Sequence, residues 1–493
     1  MGQEEVVISI SDQDLERKDL ISFSSREVTS VYEKLANMVD ERKKKKQFQT
    51  LTSVRKIETP KPKIQRVPDF LRGQKRFEKY YEPRWISIGP IHHCKASKLI
   101  QLAEDQYKLD LAANFISNSG REMEFVYSKI KENINEIKNC FQEDLIEGFA
   151  DETLSWMLFL DGCSILEFIY SFVFDKLKNF KIKKEQVIFA QQDLFLLENQ
   201  IPFRVLKLLM DSSKEKEALK SSIKEFIRVN VMAPYKLKRN VEIKMEPEPT
   251  HLLDLLRSAL LQQSPIDQED PKADGRANPK QSRQQATEKQ NRYDRQSFRN
   301  VEDLRAAGIK LKPSRSCSLR DITFTSHLTA CLKLPPLVVD DSMAPKLLNL
   351  VAYEMCPDNF SAELKSEDHG VTSYVTFLDS LIDNEEDVKR LRASHILRNC
   401  LSSDVEVAHL FNEIGSCLVA MPAYPDIMSK IQKHYERKDA KWLAQISRDH
   451  FRDPWTILAL VGALLALALT GIGTWFTVYP IPGPCDRFCL RKP

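Results

Sequence analysis

A chain of 493 residues, 42% hydrophobic and 29% charged, can bury a large core and is long enough for two or three domains. Its formal net charge of +3 lacks the strong basic bias of a dedicated nucleic-acid binder. Its ten cysteines are scattered, with no CxxC pair and no Cys/His cluster at zinc-finger spacing, which excludes the common structural zinc modules.

The N-terminus carries no apolar run of the secretory type, and Val6 stands where a myristoylation motif needs Ser or Thr. Residues 1–60 are polar and are expected to form a mobile segment. Arg42 to Lys46 is a run of five cations, followed by Arg55, Lys56, Lys61 and Lys63. A solvated tail is the plain reading. Attraction to an anionic leaflet, at ~1 kcal/mol per basic residue, is the sharper one.

From Arg66 the composition can support a fold. Trp85 to Ile88 reads as a short extended run ended by Gly89-Pro90, with His92 and His93 after it. Adjacent residues of an extended segment point to opposite faces, so this pair is not expected to ligate one metal. Leu99 to Ile116 reads as a helix with Leu99, Leu102, Leu109, Ala113 and Ile116 along one face. Met123, Val126, Tyr127, Ile130, Ile134, Ile137 and Phe141 step by threes and fours, predicting one amphipathic helix. Trp156 to Phe174 is apolar nearly all round. With Asp161, Gly162 and Glu167 inside it, a central buried helix is expected rather than a membrane span. Pro202 should end or kink one helix and open the next, and Glu198-Asn199-Gln200 just before it should satisfy exposed backbone groups. Further helices are expected around Ile223 to Ile227 and from His251.

Residues 262–300 are rich in Gln, Asp, Lys, Arg and Pro and read as a disordered insertion. Ile309–Lys312, Asp321–Thr325 and Cys331–Val339 suggest a small antiparallel sheet, with Pro335-Pro336 placing the third segment at an edge or splitting it. Asp340-Asp341 is expected to cap the helix that follows. Helices resume at Leu347–Tyr353, Val371–Ile382, Val388–Leu397, Val405–Leu418 and Ile427–Phe451. No internal repeat is evident.

Trp455 to Tyr479 is the most apolar stretch. Ile457 to Val478 holds no charged residue and as a helix spans about 33 Å, enough for a hydrocarbon core of ~30 Å. Trp455, Trp475 and Tyr479 lie near its ends, and Pro480, Pro482 and Pro484 stop it. Gly462, Ala466, Thr470 and Thr474 recur every four residues, a small-residue face suited to self-association.

The expected architecture is mainly α: a multi-helix globular body over 61–451 with a small antiparallel β element, one C-terminal transmembrane helix over 454–479, and a tail over 480–493. Free thiols in a reducing compartment are expected for Cys140, Cys163, Cys331, Cys356, Cys400 and Cys417, whereas Cys485 and Cys489 either pair or are acylated. No phosphate-cradling glycine loop, GxSxG elbow, HExxH helix or kinase signature is present. No catalytic, cofactor or metal residue is therefore assigned. A membrane-tethered interaction protein is the first expectation, and a hydrolase-like enzyme using Asp161, Glu167 or Glu198 is the alternative.

Several segments together resemble the plant domain of unknown function 247 family, whose members are C-terminally anchored. They are Tyr81-Glu82-Pro83, Ile86 to His93, Asp161-Gly162-Cys163, Asp193 to Phe203, His251 to Leu256, Ala307-Gly308, Val371 to Tyr374 and Pro454-Trp455. The resemblance runs from about Ile64 to Tyr479. Cys94, Met355 and Gly473 depart from the family's usual residues. It implies a mostly helical plant membrane protein without established catalytic residues. Some relatives in grasses are linked to pollen self-incompatibility, which implies recognition. Lys438, Lys441, Arg448 and Arg452 before the span roughly balance Arg487, Arg491 and Lys492 after it, so charge barely sets topology. The absent signal peptide favours a cytosolic body; a glycan on the Asn359 sequon would place it outside.

Overall fold

The computed structural model describes residues 63–74, 76–93, 98–262, 300–326, 330–357, 369–418, 424–436 and 454–479. The expected mobile segment 1–60 with its basic run lies outside them. So do most of the expected insertion, the Asn359 sequon, Cys94, Cys485, Cys489 and the tail.

The first long helix, α1, is Lys98–Ser119. Its buried positions include Lys108, Leu111, Ala112, Phe115 and Ser119, three and four residues apart. This corrects the sequence expectation: Leu109 is 47% exposed and Ala113 also faces out. The inward stripe contains a lysine, and apolar periodicity passes over it.

Two helices, α2 (Met123–Glu132) and α3 (Ile134–Lys138), replace the single one predicted. Asn133 separates them, its amide donating to the Lys129 carbonyl in place of a continuing helix bond. Val126, Ile130, Ile134 and Ile137 are buried as their spacing requires, whereas Met123 is exposed.

The next four helices of ten residues or more are α4 (Asp151–Val173), α5 (Lys184–Asp193), α6 (Phe203–Ser212) and α7 (Lys216–Asn230). Helices α1, α2, α6 and α7 pack around α4. Length and composition would let α4 cross a membrane, but 72% of its most apolar window is buried inside the protein, so it is a core helix. Gly162 marks its crossing with α6: a Cβ there would stand 2.5 Å from Leu209 Cδ1. Pro202 is the N-cap of α6 and so opens that helix, as predicted, but it neither ends nor kinks α5, which stops at Asp193.

Helix α8 (Leu252–Leu261) starts at His251, whose Nδ1 accepts the Asp254 N–H at 3.1 Å. Strands β1 (Lys310–Pro313), β2 (Thr323–Ser326) and β3 (Ala330–Leu334) form a sheet of order β1-β3-β2. It is mixed rather than antiparallel: β1 runs parallel to β3, Leu311 beside Leu332, and only β2 runs against it, Phe324 beside Leu332. The returning strand β2 occupies the far edge of β3, so β1 and β3 share a direction. Pro335-Pro336 splits the third predicted segment, because neither residue has an N–H for a ladder. Its second half, β4 (Leu337–Val339), pairs with another sheet strand in parallel.

Helices α9 (Met343–Glu354), α10 (Gly370–Asp379) and α11 (Glu385–Ala393) follow. Leu397 opens that partner strand, β5 (Leu397–Asn399), instead of ending α11. Helices α12 (Asp404–Ser416) and α13 (Pro425–Tyr435) complete the body. Every residue of α9 is buried, and it packs on α8 and α10. One hydrophobic cluster runs from Ile64 to Ile431 and joins both halves.

Helix α14, Pro454–Val478, is 25 residues long and contains no charge. Leu458, Leu464, Leu465, Leu467, Leu469, Ile472 and Trp475 are each more than half exposed on it.

Candidate functional site

Two loops rich in turn-forming and polar residues meet at the centre of the body. One is Tyr81 to His93; the other joins α5 to α6, residues 194–202. Their backbones touch closely at Gly89, whose φ of 71° lies in the left-handed region. A Cβ there would stand 2.5 Å from the Gln200 carbonyl oxygen, so only glycine fits.

The 84–89 backbone has no sheet partner and finds its acceptors on side chains. Asp193 Oδ1 accepts the Arg84 N–H at 3.0 Å; Oδ2 accepts those of Trp85 at 2.8 Å and Ile86 at 3.0 Å. Asn199 Oδ1 accepts from Ile88 N at 2.7 Å, and Asp161 Oδ2 from Gly89 N at 2.8 Å. Burial pushes the Asp193 carboxyl up to about 6, although the three N–H donors favour its charge. The role predicted for Glu198-Asn199-Gln200 is found for Asn199 and Gln200 but not for Glu198: the Gln200 amide donates to the carbonyls of Leu194 and Leu196, and the Asn199 amide to those of Asp193 and Ile86. Asn349 on α9 completes the set, accepting from Leu197 N at 2.7 Å and donating to the Tyr80 carbonyl at 2.8 Å.

Beside these contacts lies a charged group. Glu198 Oε1 accepts the Val67 N–H at 2.9 Å, and its other oxygen bonds Arg72. Arg72 also reaches Glu82 at 2.9 Å. His92 fits between the two carboxylates, Nδ1 at 3.3 Å from Glu82 Oε2 and Nε2 at 3.8 Å from Glu198 Oε2. Pro90–His93 is a single helical turn, which corrects the expected extended placement of His92 and His93. His92 is 2% exposed, and the group meets solvent through Arg72 and Glu82, 27% and 37% exposed.

The three carboxylates singled out in the sequence do not share a partner. Asp161 Oδ1 pairs with Lys108 Nζ at 2.8 Å. Glu167 accepts from Asn114 Nδ2 and Ser171 Oγ, both at 2.8 Å, and burial raises its pKa against those bonds. Glu198 serves Val67 and Arg72. Each therefore joins elements far apart in sequence. Sequence reasoning missed Arg72, Glu82, Lys108 and Asn349; the available signal was Lys108 lying three residues before Leu111 on the inward face of α1.

An open depression lined by Lys63, Gln65, Gln142, Glu143, Asp144 and Pro357 shares no residue with this cluster. Among the described residues no group of three or more His, Cys, Asp or Glu could hold a metal ion. Among the described residues Cys163, Cys317, Cys331, Cys400 and Cys417 are free thiols.

The segments that build this interlock are those on which the sequence resemblance rests. Residues 64–469 match DUF247, described as a plant protein of unknown function. The chain belongs to this family. A UPF0481 protein of Arabidopsis thaliana is 28% identical over 418 residues, covering 80% of this chain and 81% of its own. A putative UPF0481 protein of the same plant is 22% identical over 481 residues, covering 81% and 87%. No solved structure matches the chain. In this DUF247 member, the polar residues of Tyr81 to His93 and Asp193 to Phe203 hold backbone to backbone at the centre of the fold.

Proposed function

We propose that the chain is a membrane-tethered helical recognition protein: α14 spans a bilayer, and the body, in the cytosol, binds a protein partner. The observations that support the tether are the 25-residue length of α14 without a charge and the exposure of its Leu458, Leu464, Leu465, Leu467, Leu469, Ile472 and Trp475. Its few polar side chains fit lipid. The hydroxyls of Thr470, Thr474 and Thr477 donate to the carbonyls of Ala466, Thr470 and Gly473, each four residues earlier, at 2.7–2.8 Å. A hydroxyl satisfied within its own helix avoids the cost of an unpaired group in hydrocarbon. The Trp475 and Tyr479 rings lie 4.8 Å apart, tilted by 40°, at one end, where aromatic rings suit a lipid–water boundary. Gly462, Ala466, Thr470 and Thr474 offer a face for helix pairing, and a Cβ on Gly462 meets nothing within 4 Å. Leu at positions 462 and 466 should abolish self-association in a membrane reporter.

Recognition is favoured by the way the motif residues of the body serve its own architecture and so fix a stable platform. Cross-linking the native chain in intact membranes tests it. A discrete protein adduct is expected; monomer alone at every cross-linker dose overturns the reading. A glycosidase-sensitive mass at Asn359 reverses the assignment of the body to the cytosol.

A further inference from the structure

The turn from α4 to α5 carries five lysines, Lys176, Lys178, Lys181, Lys183 and Lys184, against two carboxylates, Asp175 and Glu185. The fold fixes it in place. Leu177–Phe180 forms one turn of 3₁₀ helix packed on α1 and α4, and Leu177 and Ile182 are buried. All five lysines are exposed.

These charges do little for the fold itself. Lys178 pairs with Asp175 at 2.8 Å, but both side chains are about four-fifths exposed, where an ion pair contributes little. Lys183 is the N-cap of α5 and Lys184 its first residue, the end of a helix dipole that repels cations. Among the described residues no carboxylate pairs with Lys181, Lys183 or Lys184. Apolar groups stand beside them. Phe174 is 49% exposed, its ring 4.7 Å from that of Tyr170, over which Lys176 Nζ lies. Ile188, one turn past Lys184 and so on the same face, is also exposed. Cations interleaved with exposed apolar side chains match a headgroup layer, which offers anions outside and an apolar boundary beneath.

We propose that the turn from Phe174 to Lys184 docks the body onto the anionic headgroups of the leaflet that α14 enters.

The proposal rests on α14 being a span. Between Tyr435 and Pro454 the chain is at most about 60 Å long even fully extended, so a tethered body stays near that leaflet. Docking is then an intramolecular step, favoured by a high effective concentration. A cytosolic leaflet is anionic and attracts each nearby lysine by about fivefold. Nucleic acid suits the turn less well, since it holds no arginine and the chain's net charge is only +3.

The test is made on full-length protein reconstituted in nanodiscs, with lysine acetylation rates read by peptide mass spectrometry. One set of discs is phosphatidylcholine; the other is an equimolar mixture with phosphatidylserine. Acetylation of Lys178, Lys181, Lys183 and Lys184 should slow about fivefold in the anionic discs, and the difference should vanish at about 1 M salt, where charges are screened beyond ~3 Å. Lys224 and Lys310, exposed elsewhere on the body, should keep their rates. Equal rates at the turn in both discs overturn the proposal, as does equal slowing at Lys224 and Lys310. Both readouts compare the unaltered protein with itself. In the variant Lys181→Glu/Lys183→Glu/Lys184→Glu the protection of Lys178 should be lost, and its survival there also overturns the proposal. A duplex RNA that protects the turn at about 0.15 M salt where phosphatidylserine does not would assign it to nucleic acid instead. Protein that fails to enter even the phosphatidylcholine discs contradicts the span, and the proposal with it.

Discussion

Lys108 Nζ stands 2.8 Å from Asp161 Oδ1, and both side chains are less than a tenth exposed. The pair ties α1 to α4, and the second Asp161 oxygen holds the Gly89 N–H. Removing one partner of a buried ion pair leaves an uncompensated charge and costs about 3–5 kcal/mol, whereas replacing both is far milder.

Lys108→Met should therefore destabilise the protein by about 3 kcal/mol. The double variant Lys108→Met/Asp161→Asn should lose less than the two single changes added together. Urea unfolding of the full chain in detergent measures all three. Additive losses would show that the pair is uncoupled.

Gly89→Ala should be severely destabilising. The added methyl meets the Gln200 carbonyl, a backbone group that cannot rotate away, and φ of 71° is strained for any side chain. A loss of about 2–4 kcal/mol is expected. Gly148→Ala is the control, since φ there is also positive at 91° but nothing lies within 4 Å. It should cost clearly less. Equal melting temperatures for the two variants would contradict the close approach of the loops.

Two buried groups give opposite pH dependences. Burial raises Asp193 from 3.8 to about 6, so the folded chain holds that proton more tightly than the unfolded one. Its contribution is full below 3.8 and is lost as pH rises through about 6. Asp379, raised by burial to about 6, acts in the same direction. Burial lowers His251 from 6.5 to about 4, so its contribution is full above 6.5 and is lost as pH falls through about 4. Asp193→Asn removes the first effect alone. Relative to the unaltered protein, its stability should improve by about 2 kcal/mol between pH 4 and 6.5, at ~1.4 kcal/mol per unit of pKa shift. Urea midpoints at the two ends measure this, and a pH-independent difference would contradict it.

The sequence was most informative where one physical signal dominates. The apolar run of α4, the proline-marked start of α6 and the inward Val126, Ile130, Ile134 and Ile137 follow directly from periodicity and breakers. It was least informative where a polar residue turns inward. Lys108 faces the core because Asp161 waits there, 53 residues away, and no local pattern records that. The sheet directions failed for a similar reason. Leu311 and Phe324 have the alternation of any half-buried strand, and only the position of β3 between them decides which pairing is parallel. Within the central interlock, the Glu198-Asn199-Gln200 trio was legible from its place before Pro202. The partners of Glu198, Val67 and Arg72, lie more than a hundred residues away.

The most direct test of the tether is alkaline carbonate extraction of native membranes, alongside a chain ending before Pro454. The full-length chain should stay in the pellet and enter solution only with detergent, while the shortened chain is released. Full-length protein in the carbonate supernatant without detergent would contradict the account, because a span of this apolar length cannot leave a bilayer by pH alone.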